Sequence, residues 1–118
     1  MVKKFIVSMI LLAGTALFAD TQQEIEHLLD FVEKTSCKYE RNGKMYAGPG
    51  AREHITRKYE YYKEKIKSAE DFIKYSATKS KMSGRKYKVH CPGQAVQNVG
   101  DWLQKELKKY RQGHLEIK

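Results

Sequence analysis

Cysteine is scarce in this sequence, and the motifs of several common chemistries are missing. The two cysteines, Cys37 and Cys91, lack the C-x-x-C spacing of zinc sites, thiol-redox sites and c-type haem attachment. The four histidines are scattered, with no pair at the spacing of a recognised zinc site. A glycine-rich phosphate loop and a Gly-x-Ser-x-Gly nucleophile elbow are absent as well. The sequence therefore predicts no metal site and no cofactor, and we assign no catalytic residue from it.

A single long apolar run occurs, close to the N-terminus. Two lysines precede the run Phe5–Phe18 and the small residue Ala19 follows it, which is the arrangement of a secretory signal peptide. The run is shorter than the roughly twenty residues that a transmembrane helix needs. We therefore expect a signal over residues 1–19, cleaved near Ala19, and one domain over residues 20–118. An uncleaved membrane anchor is the alternative, although no stop-transfer pattern follows the run.

The cysteine pair fits this export prediction. A bacterial chain with such a signal would be periplasmic or secreted, and an isolated cysteine pair in an oxidising compartment is typically a disulfide. A Cys37–Cys91 bond would close a long loop, and loop-closure entropy gives such a crosslink about 4 kcal/mol of stability. A reactive or metal-binding pair is the alternative interpretation.

Basic residues outnumber acidic ones. The chain has 23 Lys and Arg against 14 Asp and Glu. Two of the lysines lie in the predicted signal, so the predicted mature domain keeps 21 basic residues against 14 acidic ones, a formal net charge of +7. Such a surface favours anionic partners such as lipid head groups, acidic glycans, acidic proteins or nucleic acid. The alternative is that the charge serves solubility alone.

The first half of the predicted domain has the pattern of a helix followed by a hairpin. Thr21 and Glu24 form a capping box, and apolar residues recur after them at helical spacing as far as Thr35. Asn42–Gly43 is the preferred pair for a type I′ turn, and the flanking residues alternate. This pattern predicts a β-hairpin over residues 37–46. The Gly-Pro-Gly segment that follows indicates a break.

The second half predicts three more helices and one strand. Apolar spacing predicts a helix over residues 51–65, and Ser68 caps a short helix after it. The polar segment 76–83 is a predicted loop, residues 87–91 alternate like a half-buried strand, and a last helix carries an apolar stripe from Val96 onward. Since the disulfide would join this strand to the hairpin, we predict an α+β fold with about four helices on a three-stranded antiparallel sheet.

The order and spacing of these residues resemble the YfeK-like family, small periplasmic bacterial proteins of unknown function. The resemblance implies a secreted single domain with a bridge between Cys37 and Cys91, and it brings no established activity and no catalytic residues. The chain departs from the family pattern at Arg85 and Lys86, where an apolar residue or proline is expected. The segments that carry the resemblance are Ser36–Gly43, Tyr46, Ala51, His54, Lys58–Tyr59, Ser68–Ile73, Ser83–Gly84, Tyr87–Cys91 and Trp102–Leu103.

Arg41, His54 and Lys58 form the candidate site together with the serine-rich loop. Arg41 lies at the hairpin turn, and the other two residues, four apart, share a helix face. If Ser80 and Ser83 of the loop close over them, the group would suit a carboxylate, sulfate or phosphate. The alternative is a solvated Arg41 and a histidine packed for structural reasons alone.

We favour a non-enzymatic function, that of a binding or accessory module for an anionic envelope ligand or an acidic protein partner. Two alternatives remain open at this point. One is a small hydrolase that uses His54 as general base with a loop serine or a water as nucleophile. The other is an inhibitor of a secreted enzyme that inserts the Asn42–Gly43 hairpin or the loop 76–84 into a foreign active site.

Two further stretches mix basic residues with aromatic ones or crowd basic residues together. Residues 57–65 carry tyrosines on more than one helix face, so some of these rings are exposed or cover a partner. The last turns of the final helix carry Lys105, Lys108, Lys109 and Arg111. These cations suit the helix dipole, and they also allow a peripheral contact with anionic lipid. We do not predict specific nucleic-acid binding.

Overall fold

The computed structural model of this chain describes residues 20–117, so the predicted signal segment lies outside the described residues. Helix α1 covers residues 20–34. The elements after it are β1 (Lys38–Arg41), β2 (Lys44–Tyr46), α2 (Gly48–Tyr61), a 3₁₀ turn (Lys63–Lys65), α3 (Ala69–Ser76), β3 (Lys88–His90), β4 (Gln97–Asn98) and α4 (Val99–Ile117). This set of elements confirms the α+β class. None of the helices within the described range is long and apolar enough to cross a bilayer.

The sheet is antiparallel and has four strands in the order β2-β1-β3-β4. The prediction of three strands was wrong, because β4 pairs with β3 through Gln97 opposite Val89. A two-residue strand has no alternation that a sequence pattern could show, and its apolar neighbour Val96 falls in line with the stripe of the last helix. In the structure Val96 is 52% exposed and the helix begins at Val99.

The hairpin between β1 and β2 follows the prediction. Asn42 has φ of 51° and Gly43 has φ of 81°, so both central residues occupy the left-handed region that a type I′ turn requires. Tyr39 of β1 pairs with Tyr46 of β2 on one side and with Val89 of β3 on the other. Strand β1 is therefore an interior strand, and Arg41 lies at its end beside the turn.

Helix α2 begins at Gly48, three residues before the predicted start at Ala51. Pro49 suits the first turn of a helix, because the amide that it lacks has no intrahelical acceptor there. A Cβ atom at Gly48 would collide with the backbone oxygen of Glu33, so the close approach of α1 requires glycine. The Gly-Pro-Gly segment is thus the start of a helix that packs against α1.

The cap of α3 and the disulfide also agree with prediction. The Ser68 side chain accepts a hydrogen bond from the amide of Asp71 at 3.1 Å. Cys37 and Cys91 form a disulfide directly before β1 and directly after β3. The bond therefore joins two neighbouring strands at the same end of their pairing.

The core is formed by one buried stripe from each helix and by inward residues of the central strands. The α1 stripe, predicted from spacing, is fully buried. The buried members include Ile25, Leu28, Leu29, Val32, Ala51, Ile55, Phe72, Ile73, Val89, Val99, Leu103 and Leu107.

Arg52 of α2 fastens this helix to α1. Its guanidinium donates to the carboxylates of Glu26, Asp30 and Glu33 at 2.7, 2.7 and 2.6 Å. The three acceptors lie on successive turns of α1, so one side chain contacts about half of the length of that helix. Hydrogen bonding to Asp30 is the largest of the effects that raise the pKa of Arg52.

Arg111 of α4 has a similar role at the other end of α1. It forms a two-point contact with Glu24 of α1 at 2.7 and 3.0 Å and a second with Glu70 of α3 at 2.7 and 3.0 Å. Bidentate pairs of this kind fix both distance and angle. The arginine thereby joins three helices.

Candidate functional site

Helix α2, the end of β1 and the segment before β3 meet around a pocket of about 410 Å³. His54 and Lys58 reach it from consecutive turns of α2, and Arg41 reaches it from the end of β1. Tyr87, which directly precedes β3, forms part of its wall. We call this concavity, lined by Arg41, His54, Lys58 and Tyr87, the cationic pocket.

The hydroxyl of Tyr87 connects the two polar side chains of α2. Lys58 Nζ donates to it at 3.0 Å, and His54 Nε2 lies 3.2 Å from it. The Tyr87 ring is buried, with 2% of the residue exposed, and stands edge-on to the His54 ring. Lys58 also donates to the backbone oxygen of Lys79 at 2.7 Å. Lys58 is thus held between the wall of the pocket and the loop after α3.

The surroundings in the pocket lower the pKa of His54 and of Lys58. Burial, with repulsion from Arg41, Lys58 and Arg57, lowers the pKa of His54 to about 4, so the imidazole is neutral at pH 7. Burial and the charge of Arg41 lower the pKa of Lys58. Burial raises the pKa of the Tyr87 phenol, partly opposed by Arg41. Burial is the largest cause of each shift, and repulsion among the positive charges adds to the lowering at His54 and Lys58.

The acidic residues that would compensate these charges lie elsewhere. Four basic side chains line the cationic pocket, Arg41, Arg57, Lys58 and Lys81, and none of the described residues that line it is acidic. Within residues 20–117, Arg57 alone of the four forms an ion pair, with Glu53 at 2.8 Å on the exposed side of α2. The remaining three cations are without a carboxylate partner in that range.

The guanidinium of Arg41 has more hydrogen-bond donors than it uses. It donates one hydrogen bond to the Tyr46 hydroxyl at 3.0 Å, and its guanidinium lies 5.1 Å from the centre of that ring. Its Nε atom and the nearby Tyr39 hydroxyl are both buried and have no hydrogen-bond partner among the described residues. A buried polar atom without a partner is costly. Arg41 Nε is therefore a buried donor without an acceptor among the described residues.

The two predicted serines lie in different positions relative to the pocket. Ser80 lines it, and its hydroxyl accepts from the side-chain amide of Asn42 at 3.4 Å and from the backbone amide of Ser83 at 3.3 Å. Ser83 lies outside the lining and donates to the Asn42 side-chain oxygen at 2.6 Å. The serine loop is thus fastened to the hairpin turn through Asn42. Neither serine forms a hydrogen bond with His54 among the described contacts.

The structure therefore brings Arg41, His54, Lys58 and Ser80 into one pocket and places Ser83 beside it. Whether these residues bind a ligand stays a prediction. Sequence reasoning missed Tyr87, the residue that the others surround. Its alternation with exposed lysines places it on the inner face of a strand, but an inward tyrosine is usually a core residue. Its polar partners come from an element about thirty positions away in the sequence, and no local pattern shows them.

Two of the four basic residues in the last turns of α4 already have hydrogen-bond partners. Arg111 is held by two glutamates, and Lys105 donates to Gln97 at 3.1 Å. Lys108 and Lys109 are exposed. A contact with anionic lipid stays a prediction that depends on those two lysines. No group of three metal-ligating side chains was found among residues 20–117.

Comparison with known proteins identifies a family without a described activity. No curated protein and no solved structure matches the chain. The resemblance to YfeK-like proteins and the periplasmic location that it implies stay predictions. A model for a family of unknown function, DUF5329, matches residues 19–111, which is most of the sequence. The chain belongs to this family of unknown function, DUF5329.

Proposed function

We propose that this protein is a non-enzymatic binding module whose cationic pocket holds the anionic group of an envelope ligand. The observation that carries the proposal is the convergence of Arg41 and Lys58, from two elements, in a pocket whose described lining contains no acidic residue. The location in the cell envelope follows from the predicted signal peptide.

The chemistry of the pocket suits a carboxylate, phosphate or sulfate. Arg41 supplies a planar set of donors of which one is used, and Lys58 supplies a compact charge. Burial and charge repulsion lower the pKa of Lys58 and His54, and an anion between Arg41 and Lys58 would accept hydrogen bonds and would oppose the repulsion. Neutral His54 and the Tyr87 hydroxyl would then orient the anion without adding charge.

The geometry supports the two alternatives less well. A hydrolase with a serine nucleophile would need His54 beside that serine, but the hydrogen bonds of Ser80 and Ser83 go to Asn42 and to backbone amides. A histidine with a pKa of about 4 is also a weak base at neutral pH. An inhibitor would need a projecting loop, whereas the hairpin turn is hydrogen-bonded to the serine loop beside a pocket.

Thermal unfolding of the oxidised protein with sodium phosphate, sulfate and acetate, at constant ionic strength, tests the proposal. A ligand at one hundred times its Kd adds about 2.7 kcal/mol, which is on the order of ten degrees for a domain of this size. We expect such a rise for the wild type and its loss in Arg41→Ala/Lys58→Ala. The matched control, Lys108→Ala/Lys109→Ala, removes the same charge from α4 and should keep the rise. An equal loss in the two double variants would show that only net charge matters, and equal shifts in all three proteins would show that the anion does not bind through Arg41 and Lys58.

A further inference from the structure

A second concavity, of about 740 Å³, lies next to the cationic pocket. The two share Tyr61, Tyr62 and Lys81 in their linings, so these three side chains border both. The second concavity lies along the end of α2 and the 3₁₀ turn, where the predicted helix over residues 51–65 is interrupted at Tyr62. A ligand held by its anionic group therefore has room to extend in this direction.

The shared wall carries a group of aromatic rings. Tyr61 is 72% exposed, and its ring stands perpendicular to that of Tyr62 with 4.8 Å between ring centres. Tyr62 stacks in turn on Tyr75 of α3 at 5.6 Å. We call these three residues the tyrosine platform. Tyr62 thus contacts a ring on each side, and the mostly exposed Tyr61 ring is the part of the platform that faces the solvent.

Lys81 lies where the platform meets the cationic pocket. Its Nζ atom is 5.4 Å from the centre of the Tyr61 ring and 5.8 Å from that of Tyr62. These distances are within the range of cation–π contacts. The ammonium is thereby positioned at the mouth of the pocket, where it would face the anionic end of a bound molecule.

We infer that the ligand is an acidic saccharide, with its carboxylate or other anionic group in the cationic pocket and a sugar ring on the tyrosine platform. This inference depends on the proposed function and extends it to a ligand class. The face of an aromatic ring carries partial negative charge and attracts the C–H groups on the flat face of a pyranose. The phenol hydroxyls at the ring edges offer hydrogen bonds to sugar hydroxyls.

The charges around the platform favour a saccharide over a polyanion. Glu60 and Glu64 line the second concavity together with Lys63 and Lys65, so donors and acceptors alternate there. Such a lining suits the uncharged hydroxyls of a sugar. With three lysines and two glutamates in this lining, a chain with a phosphate on every unit would gain less here than in the cationic pocket, whose described lining has no acidic residue.

Calorimetric titration with four probes at constant ionic strength tests the inference. Acetate carries the anion alone, methyl glucoside the ring alone, and glucuronate both. Uridine monophosphate carries an anion with a base that could stack instead. We expect glucuronate to bind on the order of tenfold more tightly than acetate, because one stacked ring adds a contribution of that size. Methyl glucoside should bind more weakly than glucuronate.

Substitutions at Tyr61 distinguish the two proposals. Within each variant the affinity for glucuronate is compared with that for acetate, because Tyr61 also lines the cationic pocket. Tyr61→Ala should remove the gain of glucuronate over acetate, while Tyr61→Phe, which keeps the ring face, should retain most of it. Because Tyr61 is mostly exposed, both variants should fold, and their melting temperatures check this. If acetate binds and glucuronate gains nothing, the saccharide inference is wrong and the anion site stands. Tighter binding of uridine monophosphate than of glucuronate would also overturn the inference. Failure of every anion would overturn both.

Discussion

The two kinds of basic site in this molecule have opposite surroundings. Arg52 and Arg111 each contact two or three carboxylates on α1 and α3, and these contacts raise the pKa of both arginines. Arg41 donates to the phenol of Tyr46, and Lys58 donates to the phenol of Tyr87 and to a backbone oxygen. Burial and the charge of Arg41 lower the pKa of Lys58. Arg52 and Arg111 thus hold helices together, whereas Arg41 and Lys58 bring positive charges together without acidic residues to neutralise them.

This contrast shows where to look for function in a basic protein. The net charge of the chain says only that anions are attracted to it. Positive charges that have acidic partners stabilise the fold. A group of partly buried positive charges without acidic partners costs free energy, and a bound anion can offset that cost. The cationic pocket differs from Arg52 and Arg111 in its lack of acidic partners and from exposed lysines such as Lys108 and Lys109 in the partial burial of Arg41 and Lys58. The predictions below separate these cases.

The largest expected effect comes from disrupting the frame that holds the pocket. Because the Cys37–Cys91 bond joins β1 to β3, it fixes Arg41 relative to Tyr87. We expect Cys37→Ala/Cys91→Ala to lose about 4 kcal/mol of unfolding free energy, as measured by urea denaturation. Anion affinity should fall together with stability. A variant of wild-type stability would contradict the structural role that we give to this bond.

Removing a paired arginine should weaken the fold and spare the pocket. We expect Arg52→Met and Arg111→Met each to lose about 1 kcal/mol of stability, since partly exposed ion pairs contribute modestly. The affinity for phosphate should be unchanged. In Arg41→Met, by contrast, affinity should fall while stability changes by less than about 1 kcal/mol, because lost hydrogen bonds are offset by reduced repulsion. Denaturation and calorimetry on the three variants measure both quantities. A loss of affinity in Arg52→Met or Arg111→Met, or a loss of stability alone in Arg41→Met, would contradict these roles.

Acidification should act on the pocket through His54. Its pKa is about 4 in the folded protein and 6.5 ordinarily, so between these values the unfolded chain binds a proton that the folded chain does not. The free energy of unfolding should therefore fall as the pH is lowered from 6.5 to 4, and this group adds no pH dependence above that range. A bound anion would raise the pKa of His54, so anion affinity should rise over the same interval.

The control for this prediction is His54→Gln. The variant keeps a polar side chain but does not titrate, so its stability should decline less steeply between pH 6.5 and 4 than that of the wild type. The other three histidines are unchanged, and the difference between the two curves isolates His54. Parallel curves from pH titrations of thermal stability would show that His54 is not the responsible group.

The smallest effect is expected at Arg57, which lines the pocket but is paired with Glu53 on the exposed side of α2. Arg57→Ala should change stability by about 0.3 kcal/mol, the usual contribution of an exposed helical ion pair. Phosphate affinity should fall less than about threefold, since this charge is already compensated. A loss as large as that of Arg41→Ala would mean that pairing with a carboxylate does not decide which cations bind.

Local chemistry made much of the fold predictable. The type I′ turn follows from the tolerance of Asn42 and Gly43 for positive φ, and the α3 start follows from the Ser68 cap. The apolar spacing of α1 needs no tertiary information. Strand β4 and the early start of α2 could not be predicted, because the first depends on pairing with β3 and the second on contact of Gly48 with α1.

The site was predictable in its charged members and not in its centre. Arg41, His54 and Lys58 could be selected from the sequence, because the first is a basic residue at a predicted turn and the other two lie four positions apart on a predicted helix. Tyr87 becomes part of the site only through its distance to Lys58 and His54, which the fold determines. Likewise, no sequence pattern tells that Arg52 and Arg111 have acidic partners while Arg41 has none among the described residues.

A titration of the ¹⁵N-labelled protein with sodium phosphate, followed by NMR at constant ionic strength, tests the central claim most directly. We expect saturable shifts in the backbone amides around Arg41, His54, Lys58 and Tyr87, with little change around Arg52 and Arg111. In the same titration of Arg41→Ala/Lys58→Ala, the signals of the pocket amides should not shift. Shifts spread over all basic residues, without saturation and unchanged in the double variant, would contradict the claim that unpaired positive charge defines a binding site.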